Sequence, residues 1–203
     1  MRAPIQLTAL ALAAAALTAC QSSEQSINYV DYGDNHMENP QFMADMMAAG
    51  TPGEEHAELA KLVGTWKVSG HFLMAPDAEP WPTTANATVR TILGGRYIVE
   101  DYNSDFMGTP FNGMLIQGYN NVTEKYFTIW MDNMSTGATM SFGTEDENGV
   151  MTAKGTAYDI ITPEGRPMRT VITEKSENEY VMDMYDHTPE GEEFRSMHLV
   201  YTR

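Results

Sequence analysis

The sequence predicts an all-β protein, an antiparallel up-and-down β-barrel of about 8 to 10 strands preceded by two short helices. Three observations predict it. From Gly64 onward the apolar period changes from helical to twofold. Turn residues then recur at intervals of about ten to fifteen residues, among them Asn120 with Asn121, Asn148 with Gly149, Glu164 with Gly165, and Glu190 with Gly191. Finally, the hairpin around Gly94 and Gly95 has no cleanly polar face, a pattern that suits a barrel around a cavity better than a packed sandwich.

The chain begins with Arg2 and an apolar run from Leu7 to Leu17 that contains no acid, the charged and apolar regions of a secretory signal peptide at 1–19. Leu17, Thr18, Ala19 and Cys20 resemble the lipobox of bacterial lipoproteins. That likeness implies cleavage before Cys20 and diacylglyceryl attachment to its sulfur, placing the protein in the cell envelope. Gln21, a non-Asp residue after the cysteine, implies delivery to the periplasmic face of an outer membrane. The alternative is a transmembrane anchor with an incidental cysteine, for which the run is shorter than the roughly 20 apolar residues a span needs. Residues 20–36, rich in Gln, Ser, Asn and Asp, read as a flexible tether, and 37–203 as one domain.

Asn39 and Pro40 read as the N-cap and first residue of a helix with an apolar stripe of Phe42, Met43, Met46 and Met47, and Gly50 as its stop. Thr51, Pro52 and Glu54 then predict a second start with a capping box, and Leu59, Leu62 and Val63 give that helix its apolar edge up to Gly64. Strands are expected at 66–74, 84–93, 96–104, 111–119, 125–132, 136–144, 150–159, 167–177, 180–187 and 194–203. If Gly94 and Gly95 form a two-residue turn, Leu93 faces Arg96, Ile92 faces Tyr97, Thr91 faces Ile98 and Arg90 faces Val99. One face then carries Val89, Leu93, Ile98 and Tyr102 with Arg96 and Glu100. The other carries Ile92, Tyr97, Val99, Arg90 and Asp101.

Composition narrows the function. Cys20 is the single cysteine, so the domain has no internal disulfide. Net charge is −16, about −17 without Arg2, which repels nucleic acid and anionic headgroups. Sixteen methionines serve either as core filler or as an adaptable binding surface. The five histidines show no metal-ligand spacing, there is no phosphate loop, and Ser135 lies in no nucleophile elbow. These absences favour a binding protein over an enzyme.

Gly64, Thr65 and Trp66 after a short helix resemble the Gly-x-Trp start of calycin barrels, the lipocalins and fatty-acid-binding proteins. In lipocalins an Arg of the last strand packs across that Trp, which implies a barrel plug of Trp66 and Arg203. A broader likeness from Met37 onward is to the bacterial domain-of-unknown-function family numbered 1579. It rests on Pro52, Gly53, Glu55, His56; Leu62 to Trp66; Leu93 to Arg96; Gly108, Pro110, Phe111, Gly113; Gly118, Tyr119; Trp130, Asp132, Met134, Ser135, Thr136; and Tyr201 to Arg203. It implies a lipocalin-like barrel and brings no activity with it.

The expected function is to bind a small apolar or amphipathic ligand in the barrel. Arg90 and Asp101 are diagonal neighbours in the expected register. On an internal face the Arg suits a carboxylate headgroup; on an external one the two make a structural ion pair. Trp130, Asp132 and Met134 run from a strand into a loop, which puts them at a barrel mouth, in contact with ligand or with Asp132 capping the turn. No cofactor is expected on this reading. The alternatives are a haem protein resembling nitrobindin, with His198 of the last strand as iron ligand although Val68 stands where that pattern has Gly, and a protein-interaction module of the envelope.

Overall fold

The twofold alternation beginning at Gly64 carries through ten antiparallel strands in the computed structural model, which describes residues 27–203. The expected signal peptide and Cys20 lie outside the described residues. Regular structure starts with a short 3-10 turn at His36–Glu38 and helix α1 at Pro40–Gly50. Asn39 caps α1 as expected: its Oδ1 accepts from the backbone N–H of Gln41 at 2.8 Å, and Pro40 supplies a first residue without an N–H to satisfy. Tyr32 folds back onto this helix, its ring 5.2 Å from Phe42 and its hydroxyl donating to Asp45, so packing begins within the segment read as tether.

Helix α2, Glu54–Lys61, starts later than expected. Thr51 belongs to the end of α1, its Oγ1 donating to the Met47 carbonyl at 2.7 Å, and Pro52 lies before the helix. Gly53 is the cap residue, and the His56 ring closes the turn by accepting from the Gly53 N–H at 3.0 Å. The Thr-Pro-x-Glu pattern lost because α1 needed Thr51 to turn its last carbonyls. Those carbonyls have distant partners, Arg96 Nη2 on Gly50 at 2.6 Å and Asn121 Nδ2 on Thr51 at 2.8 Å. The apolar stripe of α1 is divided: Phe42 packs against Tyr32 and His36, while Met46 and Met47 are exposed.

The strands are β1 Gly64–Phe72, β2 Trp81–Ile92, β3 Tyr97–Phe106, β4 Thr109–Asn120, β5 Lys125–Asp132, β6 Thr139–Glu145, β7 Val150–Ala157, β8 Arg166–Ser176, β9 Glu179–His187 and β10 Glu193–Thr202. Each pairs with its sequence neighbour, and β1 pairs with β10 to close the barrel, so no edge is left unpaired. The expected β2–β3 register holds, with Ile92 opposite Tyr97 and Arg90 opposite Val99. The turn itself is longer than expected. Leu93, Gly94 and Gly95 all take left-handed φ (49°, 68° and 84°), and Arg96 is not paired with Leu93 in the ladder. That freedom lets the Arg96 guanidinium accept a second task, bridging the Leu93 carbonyl and the end of α1.

Closure decides which face is inside. Val89, Ile98, Glu100 and Tyr102 turn inward and are buried; Arg90 turns out. The core gathers at the barrel end under α2, around Trp66, Val68, Ala87, Leu199 and Tyr201. Gly70 is demanded there by close approach: a Cβ on it would stand 1.9 Å from the backbone oxygen of His198 on β10.

Candidate ligand-binding cavity

At the closed end Trp66 is 1% exposed, and its indole N–H donates to the Leu62 carbonyl at 2.8 Å. The Arg203 guanidinium lies over that ring, 4.2 Å from its centre, and donates to the carbonyls of Val63, Lys61 and Glu177. The two residues that the resemblance pairs as a plug are therefore brought together, and they tie the last strand to the segment that starts the first. Tyr180 stands edge-on to Trp66 and stacks on Tyr201 at 4.3 Å between centroids, continuing the aromatic column inward.

Above that column lies a chamber of about 300 Å³, at the lower limit of the volumes usual for ligand sites. One wall is aromatic. Trp130 stacks near Phe111 at 6.3 Å and meets Tyr102 edge-on at 5.9 Å. Gly113 makes room for this: a Cβ there would stand 2.2 Å from Trp130 Cη2. The facing wall on β8, β9 and β10 is sulfur-rich, with Met168, Met182, Met184 and Met197. Four of the methionines line this chamber, and Met182 and Met197 also pack against the buried core. A second recess of about 440 Å³ lies toward α2 and shares Gln117, Thr128 and Ile172 with the first.

Asp132 lines the chamber near its mouth, and each of its oxygens accepts a hydrogen bond. Its Oδ2 accepts from the Trp130 indole at 2.8 Å and its Oδ1 from the Met134 N–H at 2.9 Å, so it caps the turn and orients the indole. Met134 projects from the loop, 57% exposed, and does not line the chamber. The rim bears other apolar side chains in the loops of the same end, Met107 between β3 and β4 and Ile160 and Ile161 between β7 and β8.

The structure takes Arg90 and Asp101 off the cavity. They are diagonal neighbours, as the register required, but on the outer face: Arg90 Nε is 3.8 Å from Asp101 Oδ2 and both are about half exposed. His198 also faces outward, its Nδ1 2.7 Å from Asp183 Oδ1 on β9, and no histidine lines either chamber. A haem inside the barrel would have no histidine from these walls, so the nitrobindin-like reading is not retained. Among the described residues no group of three or more His, Cys, Asp or Glu is arranged to hold a metal ion. No helix among them is long and apolar enough to cross a membrane.

What sequence reasoning missed is Glu100. It is 5% exposed, lines the chamber, and its Oε1 accepts from Tyr201 Oη at 3.3 Å. Burial pushes its carboxyl up from the ordinary 4.5 to about 7; the Tyr201 bond opposes the shift and Asp101 adds to it. The same burial, with Glu100 beside them, raises the Tyr201 hydroxyl far above its usual range and Tyr102 to about 12. The one available signal was parity: Glu100 shares a strand face with Ile98 and Tyr102.

No curated protein matches the chain. The sequence profile described as "Protein of unknown function (DUF1579)" matches residues 51–203, from the end of α1 through the plug arginine. The closed ten-strand barrel with its Trp66 and Arg203 plug is thus the structure of a member, for this chain belongs to the DUF1579 family.

Proposed function

We propose that this chain is a carrier or sensor of the bacterial cell envelope that holds a small apolar or amphipathic ligand in its barrel, anchored to a membrane through lipid on Cys20. The observation that carries the reading is the chamber between the aromatic and methionine walls, closed below by Trp66 and rimmed above by apolar loops. The anchoring half rests on the Leu-Thr-Ala-Cys sequence, and it gives an acidic protein, of net charge −16 over the full chain, a reason to stay at a surface it would otherwise avoid. Two acyl chains make a stable anchor where one does not.

Native mass spectrometry of protein purified from its own host without detergent tests the cavity; the expected result is a bound small molecule. Membrane fractionation of the Cys20→Ser variant tests the anchor, with release into the soluble fraction expected. A second reading, an interaction module, is favoured by the apolar outer face of β4 and β6, where Met114, Met140 and Phe142 are exposed. An empty barrel that takes up no apolar dye would move the balance to it.

A further inference from the structure

The polar lining of the 300 Å³ chamber is one-sided. Its charged residues are Glu100 and Asp132, and none of the residues lining it is Lys, Arg or His. Each oxygen of Asp132 already accepts one hydrogen bond, from Trp130 and from Met134. Glu100 is different: Oε1 holds the Tyr201 hydroxyl, while Oε2 has no hydrogen-bond partner among the described residues. No buried side-chain oxygen among them lacks a partner, so this one opens on the chamber. A carboxylate so placed repels an anionic headgroup and gains from a cation that brings its own donors. Tyr102, two residues along the same face of β3, lines the chamber with Phe111 and Trp130, and aromatic rings attract a cation at their faces.

Resting on the ligand-binding reading above, we propose that the ligand is an amphipathic amine, its ammonium group seated against Glu100 Oε2 and its apolar body against Met168, Met182, Met184 and Met197. This reverses the headgroup polarity expected for a fatty-acid-like carrier. An acid would find no cation in the chamber, because Arg90 is outside the barrel.

The test uses the mature protein at about 0.15 M salt, where surface attraction to its acidic exterior is screened. Neutral N-phenylnaphthylamine is loaded as an apolar fluorescent probe and displaced with octylamine, octanol or octanoate. Octylamine is expected to displace it at about tenfold lower concentration than octanol, with octanoate weakest. Glu100→Gln, which changes one charge among 28 acids, is expected to abolish the amine advantage. A second measurement needs no variant. The groups facing Glu100 are Tyr102 on its own strand, Tyr180 on β9 and Tyr201 on β10, with Asp101 adjacent; the tyrosines stay protonated at neutral pH, while burial brings the Glu100 carboxyl to about 7. Lowering pH from 8 to 5.5 is therefore expected to weaken octylamine about tenfold and leave octanol unchanged. Equal displacement by amine and alcohol, a preference for octanoate, or an amine advantage that survives in Glu100→Gln overturns the amine assignment and leaves the carrier reading standing. Failure of the probe itself to bind overturns both.

Discussion

Tyr201 Oη donates to Glu100 Oε1 at 3.3 Å, across a separation of 101 residues in the chain. This bond joins the last strand to β3 inside the barrel and links the aromatic column of Trp66, Tyr180 and Tyr201 to the floor of the cavity. It also leaves an acid buried among apolar groups, which has consequences for stability.

Because the Glu100 carboxyl is raised from 4.5 to about 7, the folded state binds its proton more tightly than the unfolded chain does. Its contribution is therefore most favourable below pH 4.5 and is lost as pH rises to about 7, a loss of about 3 kcal/mol at most. Glu100→Gln is expected to stabilise the protein by about 1 to 3 kcal/mol at pH 8.5 and to change it little at pH 4.5. Urea unfolding at the two pH values checks this; equal effects at both would refute it.

Arg203 holds the closed end through its stacking on Trp66 and its donation to three backbone carbonyls. Since the guanidinium is partly solvated, Arg203→Ala is expected to cost about 1 to 3 kcal/mol, and Arg203→Lys most of that, because an ammonium cannot span the same acceptors. The Trp66 emission should shift to the red as water reaches the ring. Thermal melts and tryptophan fluorescence, read in a Trp81→Phe, Trp130→Phe background, measure both effects.

Two inward glycines should behave differently. At Gly113 an added Cβ meets the Trp130 ring, which can swing into the cavity; at Gly70 it meets the His198 backbone oxygen at 1.9 Å, which cannot yield without parting β1 from β10. Gly113→Ala is expected to fold with a loss of about 1 to 3 kcal/mol and weaker probe binding. Gly70→Ala is expected to give no stable barrel. Circular dichroism with dye titration separates the two; a stable Gly70→Ala barrel would show that the strands shift more easily than the geometry implies.

The apolar loop carrying Ile160 and Ile161 is held at the mouth by Arg166, which grips Asp186 with two hydrogen bonds of 2.6 and 2.8 Å and also bonds Asp159 and Thr162. The Arg166 guanidinium, with the N–H groups of Thr162 and Ile161, lowers the Asp159 carboxyl to about 2. Its grip is thus complete above the ordinary 3.8 and is lost as pH falls through about 2. Arg166→Gln is expected to speed hydrogen exchange at Ile161 and Thr162 at neutral pH while shifting the melting temperature by less than about 3 °C. Unchanged exchange at those two amides would show that the loop is held by something else.

Much of the barrel was legible because strand length and turn placement are local properties. The expected strand at 125–132 is β5 to the residue, and the left-handed glycines Gly149, Gly165 and Gly191 mark hairpin turns where they were expected. The capping box at Thr51 misled because a helix start and a helix stop compete for the same residues, and the competition was settled by Arg96 and Asn121 from other parts of the chain.

The sequence by itself determined the strands, their sequential pairing and, through the likeness at Trp66 and Arg203, the plug. Twofold alternation says that each strand has two faces, and the β2–β3 register says which residues share one. It does not say which face turns inward when both carry charge. Val89 with Glu100 and Arg90 with Asp101 were equivalent on that evidence. Only closure of all ten strands, with β10 laid beside β1, put Glu100 within reach of Tyr201 and left Arg90 in water. The physical reason is that burial is a property of the closed sheet: the free energy of moving a carboxyl out of water is set by neighbours that its own strand does not contain.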